Sequence, residues 1–292
     1  MNAISQARLA RLGHERPDWR PWLEVLASAL EEATDPAWEV SLRSAPRRTN
    51  GKPLLAEAEI RVDGALARNW LCTLFKAAAA AGVGIASSGE LRLEHRDALG
   101  IVTAAVQEDG SRLAALAMRH HWLAEPFHAV AVLGAFPLLQ AVGRRWAAAI
   151  PPTWSRGCCP MCGAWPALAE MRGPERCRWL RCARCGSEWT MDALRCAFCD
   201  NADPARIRLV TEPGDDGRHL ETCAVCRGYL KALSTPRAGP AAEVIVDDLV
   251  SVDLDVAALG RGYTRPPGPG YLLGLRLVEK IGFARRLLAR RA

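Results

Sequence analysis

Two cysteine-rich stretches decide the fold of this chain: CCPMCGAWPALAEMRGPERCRWLRCARCG at residues 158–186 and CAFCDNADPARIRLVTEPGDDGRHLETCAVCRG at residues 196–228. Together they hold ten of the eleven cysteines, and eight of these ten form four C-x-x-C pairs. The successive spacings are C-x2-C-x19-C-x2-C and C-x2-C-x23-C-x2-C, which are typical of two four-thiolate metal sites. The pairs are Cys159/Cys162, Cys182/Cys185, Cys196/Cys199 and Cys223/Cys226.

The spacing has a geometric reason. Two thiolates three residues apart on a tight turn reach one ion, and a second such turn completes a closed tetrahedron. The pattern therefore predicts one ion on the first four cysteines and another on the last four. Glycine follows Cys162 and Cys185, whereas Asp200 and Arg227 stand at the matching positions of the second stretch. A left-handed backbone there costs roughly 1 kcal/mol for a residue with a Cβ, so the second site is predicted to be the weaker one.

Other interpretations of the cysteines are less consistent with the sequence. A thioredoxin-type C-x-x-C motif opens a helix after a strand, a context that closely spaced repeats do not match. Disulfides are disfavoured because the N-terminal segment carries early charges and no apolar signal-peptide core. We therefore expect a cytoplasmic protein with reduced thiols. Cys72, Cys158 and Cys177 are expected to be small half-buried residues, with Cys158 an alternative ligand because it neighbours Cys159.

Composition predicts a globular protein of two or three domains. The chain has 292 residues, of which 50% are hydrophobic, enough for a packed core. No apolar run is expected to be long enough to cross a bilayer. The net charge of +6 is concentrated at the C-terminus, where residues 276–291 carry six basic residues against one acidic residue.

The N-terminal half is predicted to be all-helical. Apolar residues recur at helical spacing through residues 1–152, and Pro151-Pro152 marks the boundary. Residues 34–53 are predicted to be a connecting loop, with a basic pair at Arg47-Arg48. Helices are expected over two segments of residues 4–33 and over about 54–80, 89–108, 111–123 and 125–149.

Local signals refine these helices. Asp63-Gly64 and Pro137 predict kinks, and Ser88, Asp109 and Ser111 are candidate N-caps. His120, His121 and His128 lie close in sequence, but Pro126 argues against one continuous helix through them. They are expected to be solvated or core histidines rather than a metal or catalytic site.

The cysteine-rich half is predicted to contain two small ribbon modules, at residues 153–193 and 194–265, before a basic helical tail at 266–292. Short strands are expected at 167–171, 177–182, 207–211 and 219–222, and a strand followed by a helix within 244–259. Trp165, Trp179 and Trp189 lie between the ligands, where a tiny domain needs aromatic area for its core. The alternative, a stacking platform for bases, requires exposed rings.

These motifs, in this order, resemble the formate dehydrogenase accessory proteins of the FdhE family. The resemblance extends over about residues 157–265, while the helical half agrees only in general character. Three departures are the doubled Cys158-Cys159, the absence of glycine after Cys199 and Cys226, and the basic tail after Tyr271. The residues that carry the resemblance are Cys159–Gly163, Arg178–Cys182 with Cys185 and Glu188-Trp189, Cys196–Cys199, Cys223–Lys231, Val246–Leu249 and Gly262-Tyr263.

The resemblance implies a cytoplasmic maturation factor rather than an enzyme. Its expected partner is the catalytic subunit of a respiratory formate dehydrogenase. Its expected cofactors are two tetrahedral metal ions, each held by four cysteines in a rubredoxin-like site. The resemblance favours iron, and zinc fits the same thiolate donors. The ligand role passes to Cys159, Cys162, Cys182, Cys185, Cys196, Cys199, Cys223 and Cys226.

Two functions from other classes remain as alternatives. A zinc-ribbon nucleic-acid-binding protein would place arginines of the cysteine-rich half on phosphates. An iron-based electron-transfer protein would cycle the metal between oxidation states. The arginines of the first alternative are Arg176, Arg178, Arg181, Arg184 and Arg195.

Overall fold

A computed structural model describes residues 3–40, 42, 45–46, 51–85, 93–211 and 217–280 of the chain. Several features singled out in the sequence lie outside these residues. They are the basic pair Arg47-Arg48, the candidate cap Ser88 and the part of the basic tail beyond residue 280.

The described residues form helices in the first half and mainly strands after residue 167. The helices are α1 (Ala3–Glu15), α2 (Arg20–Glu32), α3 (Ala37–Val40), α4 (Gly64–Ala80), α5 (His95–Gln107), α6 (Gly110–Arg119), α7 (Ala124–Gly134), α8 (Phe136–Trp146), α9 (Val244–Val250) and α10 (Val252–Gly260). The strands are β1 (Glu59–Val62), β2 (Leu168–Arg172), β3 (Cys177–Arg181), β4 (Glu188–Thr190), β5 (Ile207–Val210), β6 (Arg218–Cys223), β7 (Tyr229–Thr235) and β8 (Arg276–Glu279).

The beginning of α4 corrects one sequence prediction. A helix was expected from about Leu54, but Glu59–Val62 is a strand and the helix begins at Gly64. Asp63 ends the strand and caps the helix, because its carboxylate accepts hydrogen bonds from the backbone N–H groups of Ala65 and Leu66. The strand alternates exposed and buried residues, so its apolar side chains enter the core without helical spacing.

Helices α7 and α8 are separated at Ala135, just before the predicted break at Pro137. With the 3-10 turn that follows, they form one helical stretch, Ala124–Ala149. By length and composition this stretch could span a membrane, which the sequence analysis did not expect, and 72% of its apolar window is buried inside the protein. Such burial is typical of a core helix.

The strands of both predicted ribbons form a single six-stranded sheet with the order β4-β3-β2-β7-β6-β5. Neighbouring strands are antiparallel except for β2 and β7, which pair in parallel at the centre. This central pairing, from Leu168 opposite Lys231 to Arg172 opposite Thr235, joins the first ribbon to the second. The domain boundaries at residues 152, 193 and 265 stay predictions, since the sheet is continuous across the second of them.

Helices α9 and α10 cover part of the second ribbon. A strand was expected at the start of this segment, but Val244–Val250 is a helix. The ammonium of Lys231, which is fully buried, anchors the helices because it lies 2.8 Å from a carboxylate oxygen of Asp248 and 2.7 Å from one of Asp255. Arg265 contacts the same two carboxylates at 2.9 and 3.2 Å. The cluster satisfies each buried charge with an opposite one, as burial in low dielectric requires.

The segment before residue 280 returns to the helical half. Arg276–Glu279 was predicted to lie in a basic helix, but it is a strand that pairs in parallel with β1. The amide of Gln107 at the end of α5 donates to the carbonyls of Leu273 and Leu275, which holds this segment extended. Backbone pairing with β1 and these donors outweigh the helical pattern of the tail.

Candidate metal centres

Four cysteines of the first stretch meet in one place, here called the first cluster. It consists of Cys159, Cys162, Cys182 and Cys185, all of them buried. The Sγ atoms of Cys159 and Cys185 are 3.5 Å apart, as are those of Cys162 and Cys182. The grouping agrees with the partition predicted from the spacing.

Four cysteines of the second stretch form the second cluster: Cys196, Cys199, Cys223 and Cys226. Their closest Sγ atoms are 3.7 Å apart, from Cys196 to Cys226 and from Cys199 to Cys223. In contrast to the first cluster, Cys199 and Cys226 are exposed. The two clusters therefore have the same donor set in different surroundings.

All four C-x-x-C turns have one backbone geometry. In each turn the residue after the second cysteine donates its N–H to the carbonyl of the first cysteine, at 3.0–3.1 Å. That residue has a positive φ in every case: 73° at Gly163, 71° at Gly186, 63° at Asp200 and 58° at Arg227. Glycine adopts this conformation without steric cost, whereas Asp200 and Arg227 do not. The second cluster thus carries the backbone strain on which its predicted weakness depends.

Both clusters fit a metal ion. A tetrahedral ion with metal–sulfur bonds of about 2.3 Å places its ligands about 3.8 Å apart. The Sγ separations of 3.5–3.7 Å are close to this value, and the sulfurs of each cluster all lie within 4.8 Å of one another. Backbone N–H groups of Phe198 and Gly228 point to the sulfurs of Cys196 and Cys226, each at 3.4 Å. Such donors stabilise thiolates rather than thiols.

The electrostatics also call for a cation. Burial raises the pKa of the Cys159 thiol well above its ordinary value, and burial raises the pKa of Cys226 to about 11. Several buried thiolates are therefore unfavourable without a compensating positive charge. A divalent or trivalent ion supplies that charge and displaces the thiol protons on binding.

The first cluster lies at the junction with the helical half. Gly143 of α8 packs directly on the turn, since a Cβ at this position would lie 1.9 Å from the carbonyl oxygen of Cys185. The amide of Gln140 on the same helix donates to the carbonyl of Arg184 at 3.1 Å. The close approach of α8 to the turn requires glycine at position 143.

Arg184, between the two cysteines of this turn, reaches the end of α5. Its guanidinium donates to the carbonyls of Ala105 and Val106 at 2.6 and 3.2 Å and contacts the carboxylate of Glu108 at 2.7 Å. A cation at a helix C-terminus satisfies unpaired carbonyls and interacts favourably with the helix dipole. The other turn of the cluster also contacts the helical half, because Leu54 and Leu55 donate their N–H groups to the carbonyls of Pro160 and Met161.

These junction residues were missed in the sequence analysis. The spacing of the cysteines identifies ligands but carries no signal for the side chain between them. At the position equivalent to Arg184 the last turn has Val225, which is 59% exposed. Only the packing partners distinguish the two positions.

Other residues singled out in the sequence do not form a site. Cys158 is buried but lies outside both groups of four, Cys72 is half-buried, and Cys177 is exposed. His120 stacks on Trp122 and lies 3.3 Å from a carboxylate oxygen of Asp97, while His121 and His128 are exposed. The histidines belong to the surface and the edge of the core.

The structure also bears on the nucleic-acid alternative. Arg178 pairs with the buried carboxylate of Glu221, Arg181 pairs with Glu170, and Arg184 is held as described. These three guanidinium groups are turned inward rather than toward a ligand. Trp189 is 3% exposed, and its indole N–H donates to the carbonyl of Arg156, so this ring is part of the core.

A helical half joined to a sheet with two four-cysteine clusters defines a class of protein with paired rubredoxin-like sites. Comparison with known proteins agrees with this class and is more specific. Residues 194–273 match the family model described as "FdhE, C-terminal domain". The chain therefore belongs to the FdhE family, as the cysteine motifs indicated.

Relatives and a solved structure share this family. A protein named "Protein FdhE homolog" from Pseudomonas putida is 32% identical over 193 residues, which is 61% of this chain and 59% of that protein. The homologue from Haemophilus influenzae is 32% identical over 109 residues, 37% of this chain and 35% of its own. The match thus spans little more than half of the first relative and about a third of the second.

The crystal structure of the FdhE protein from Pseudomonas aeruginosa has the same fold. It superposes with a TM-score of 0.54 over 93% of this chain and 95% of the other, at 22% sequence identity. At this identity the likeness shows the fold alone.

Proposed function

We propose that the protein is an accessory factor that binds the catalytic subunit of a respiratory formate dehydrogenase in the cytoplasm and is needed for that enzyme's activity. The observation that carries the proposal is the pair of complete four-cysteine clusters in a chain of the FdhE family. Membership of this family supports a role in formate dehydrogenase maturation. The partner and the compartment are the finer parts of the proposal.

In the metal-loaded protein, the first cluster would hold one ion and the second cluster the other. Iron is the assignment that the family resemblance supports, and the same sulfur donors suit zinc. Four cysteine ligands leave a tetrahedral ion no open position for a substrate. We therefore assign the protein a binding function, in which the ions stabilise the surface that the partner contacts, rather than catalysis.

Capture of the catalytic subunit tests this function. The purified metal-loaded chain should retain the subunit from cytoplasmic extract. Cys182→Ser should weaken capture because loss of a structural ion unfolds the unit that it holds together. Cys177→Ser is the matched control, since Cys177 is an exposed cysteine outside both clusters.

A deletion strain provides the cellular test. Cells without this protein should make the enzyme subunits but show little formate oxidation. Normal formate oxidation in that strain, or equal capture by wild type and Cys182→Ser, would contradict the assignment. Salt-sensitive binding to nucleic acid with no subunit capture would favour the nucleic-acid alternative instead.

A further inference from the structure

A cleft of about 530 Å³ runs between the end of α8 and the outermost strand of the sheet. One wall is formed by Gly143, Arg144 and Ala147, and the residues after the helix, from Ile150 to Trp154, extend it. The opposite wall is strand β4 with the Gly186-Ser187 turn of the first cluster. We call this feature the β4 cleft.

Strand β4 has a neighbour on one side only, because it is the terminal strand of the sheet. The carbonyl of Ser187 accepts a hydrogen bond from the N–H of Cys182 at 3.0 Å, which makes them a bonded pair of the β3–β4 ladder. Bonded and non-bonded pairs alternate along an antiparallel ladder. Glu188 and Thr190, opposite Arg181 and Trp179, are therefore non-bonded pairs whose N–H and C=O groups point to the open edge.

The cleft follows this open edge. Side chains of successive strand residues point to opposite faces, yet Glu188, Trp189 and Thr190 all line the cleft. A cavity that touches all three consecutive residues runs along the edge of the strand rather than over one face. Four backbone groups, two on Glu188 and two on Thr190, are thus presented to the cleft, as in sheets that bind an added strand.

The side chains around the edge define the chemistry of an occupant. Trp154, Trp179 and Trp189 provide an apolar, aromatic lining. Two arginines, Arg144 and Arg181, line the cleft against one carboxylate, that of Glu188. Arg181 is 1% exposed, and its Nε has no hydrogen-bond partner within the described part of the chain. The positive excess favours an occupant with a carboxylate.

We infer that the β4 cleft is where the partner is held, and that its occupant is an extended segment of the client polypeptide with apolar side chains and one acidic side chain. The segment adds a strand to β4, with its apolar side chains against the tryptophans and its carboxylate toward the arginines. This inference rests on the proposed function, since the occupant is part of the same partner. It assigns that function to one surface of the molecule.

The location also links client binding to the first cluster. Gly186 and Ser187 continue the turn from Cys185, and the Cys185 thiol donates to the Ser187 hydroxyl at 3.2 Å. The position of β4 therefore depends on the ordered turn. Loss of the ion from the first cluster should abolish peptide binding, while its loss from the second cluster should leave most of it.

Proline at position 190 is the direct test, because proline removes one outward N–H and is tolerated on edge strands. The probes are overlapping synthetic peptides that cover the catalytic subunit, measured by tryptophan fluorescence with the metal-loaded full chain. At least one peptide with apolar and acidic residues should bind, and Thr190→Pro should weaken it roughly fivefold to tenfold. Thr190→Ala keeps the N–H and should weaken binding less.

A second pair of variants leaves β4 intact. Pro152 is exposed and lines the cleft, whereas its exposed neighbour Thr153 does not line it among the described residues. Pro152→Glu should weaken binding of the acidic peptide, and Thr153→Glu should have a smaller effect. This pair decides the test if Thr190→Pro proves to have lost its metal or its fold.

Capture of the whole subunit by the same variants separates the two proposals. If wild type captures the subunit but Thr190→Pro and Pro152→Glu capture it and the peptides equally well, the β4 cleft is not the site and the proposed function stands. If wild type captures no subunit, the proposed function fails and this inference fails with it. If basic peptides bind in preference to acidic ones, the assigned chemistry of the occupant is wrong.

Discussion

The two cysteine clusters share one turn geometry but differ in what surrounds them. All four sulfurs of the first cluster are buried, and both of its turns make hydrogen bonds to the helical half. The second cluster exposes Cys199 and Cys226, and its last turn presents Val225 to solvent. The same ligand pattern is thus used once to join two parts of the molecule and once to close a peripheral ribbon.

The largest expected effect comes from removing one ligand of each cluster in turn. Metal binding contributes on the order of 10 kcal/mol to folding in small metal-bound units. Cys182→Ser should therefore release α5 and α8 from the sheet, and amide hydrogen exchange in both helices should increase. Cys226→Ser should leave those amides protected, because the contact of Gly143 on α8 is with the first cluster. Equal loss of protection in both variants would show that the clusters are not distinct in role.

The equivalent positions Arg184 and Val225 give a smaller effect that isolates the junction from the metal. Arg184→Ala leaves Glu108 and the end of α5 without their partner, which should lower the free energy of unfolding by about 3 kcal/mol. Val225→Ala removes an exposed side chain and should change it by less than about 0.5 kcal/mol. Denaturant unfolding of both variants, with metal content confirmed, measures the difference. Similar values for the two would argue against the junction.

The residues after the second cysteine of each turn test why the second cluster should be weaker. Asp200 has a φ of 63°, which glycine adopts without strain. Asp200→Gly should stabilise the second cluster by up to about 1 kcal/mol and slow the release of its ion to a chelator. In wild type, the second cluster should release its ion first. Release from the first cluster first would show that exposure and backbone strain do not set the order.

The smallest effect concerns acid. Burial, with Arg176 and Arg178 nearby, lowers the pKa of His219 on β6, so this ring is neutral in the folded protein. The unfolded chain then binds the proton more readily, and stability is lost as the pH falls below about 6.5. His219→Gln should reduce that slope in the second ribbon without changing the protection of α5 and α8. An unchanged slope would mean that other groups control the response.

The sequence predicts the clusters well because their determinants are local. The C-x-x-C spacing defines each turn, and Gly163 and Gly186 mark the left-handed residue that ends it. Asp109 was a candidate cap, and its carboxylate does accept the N–H of Arg112 at the start of α6. Each of these features depends on a few adjacent residues.

The features that were not predicted depend on residues far apart in the chain. The parallel pairing of β2 with β7 and of β1 with β8 joins segments whose own sequences do not specify a partner. Arg276–Glu279 has helical spacing but forms a strand, because backbone groups of β1 are available to it. Arg184 similarly acquires its role only when the end of α5 lies beside the turn.

Metal content of protein purified without oxygen tests the central claim most directly, that the eight cysteines form two independent sites. Elemental analysis, with the absorption spectrum of the same sample, should give two ions per wild-type chain and one per chain of Cys159→Ser. Iron in the retained site would show visible charge-transfer bands, which zinc lacks. Loss of both ions from Cys159→Ser, or of neither, would contradict the account.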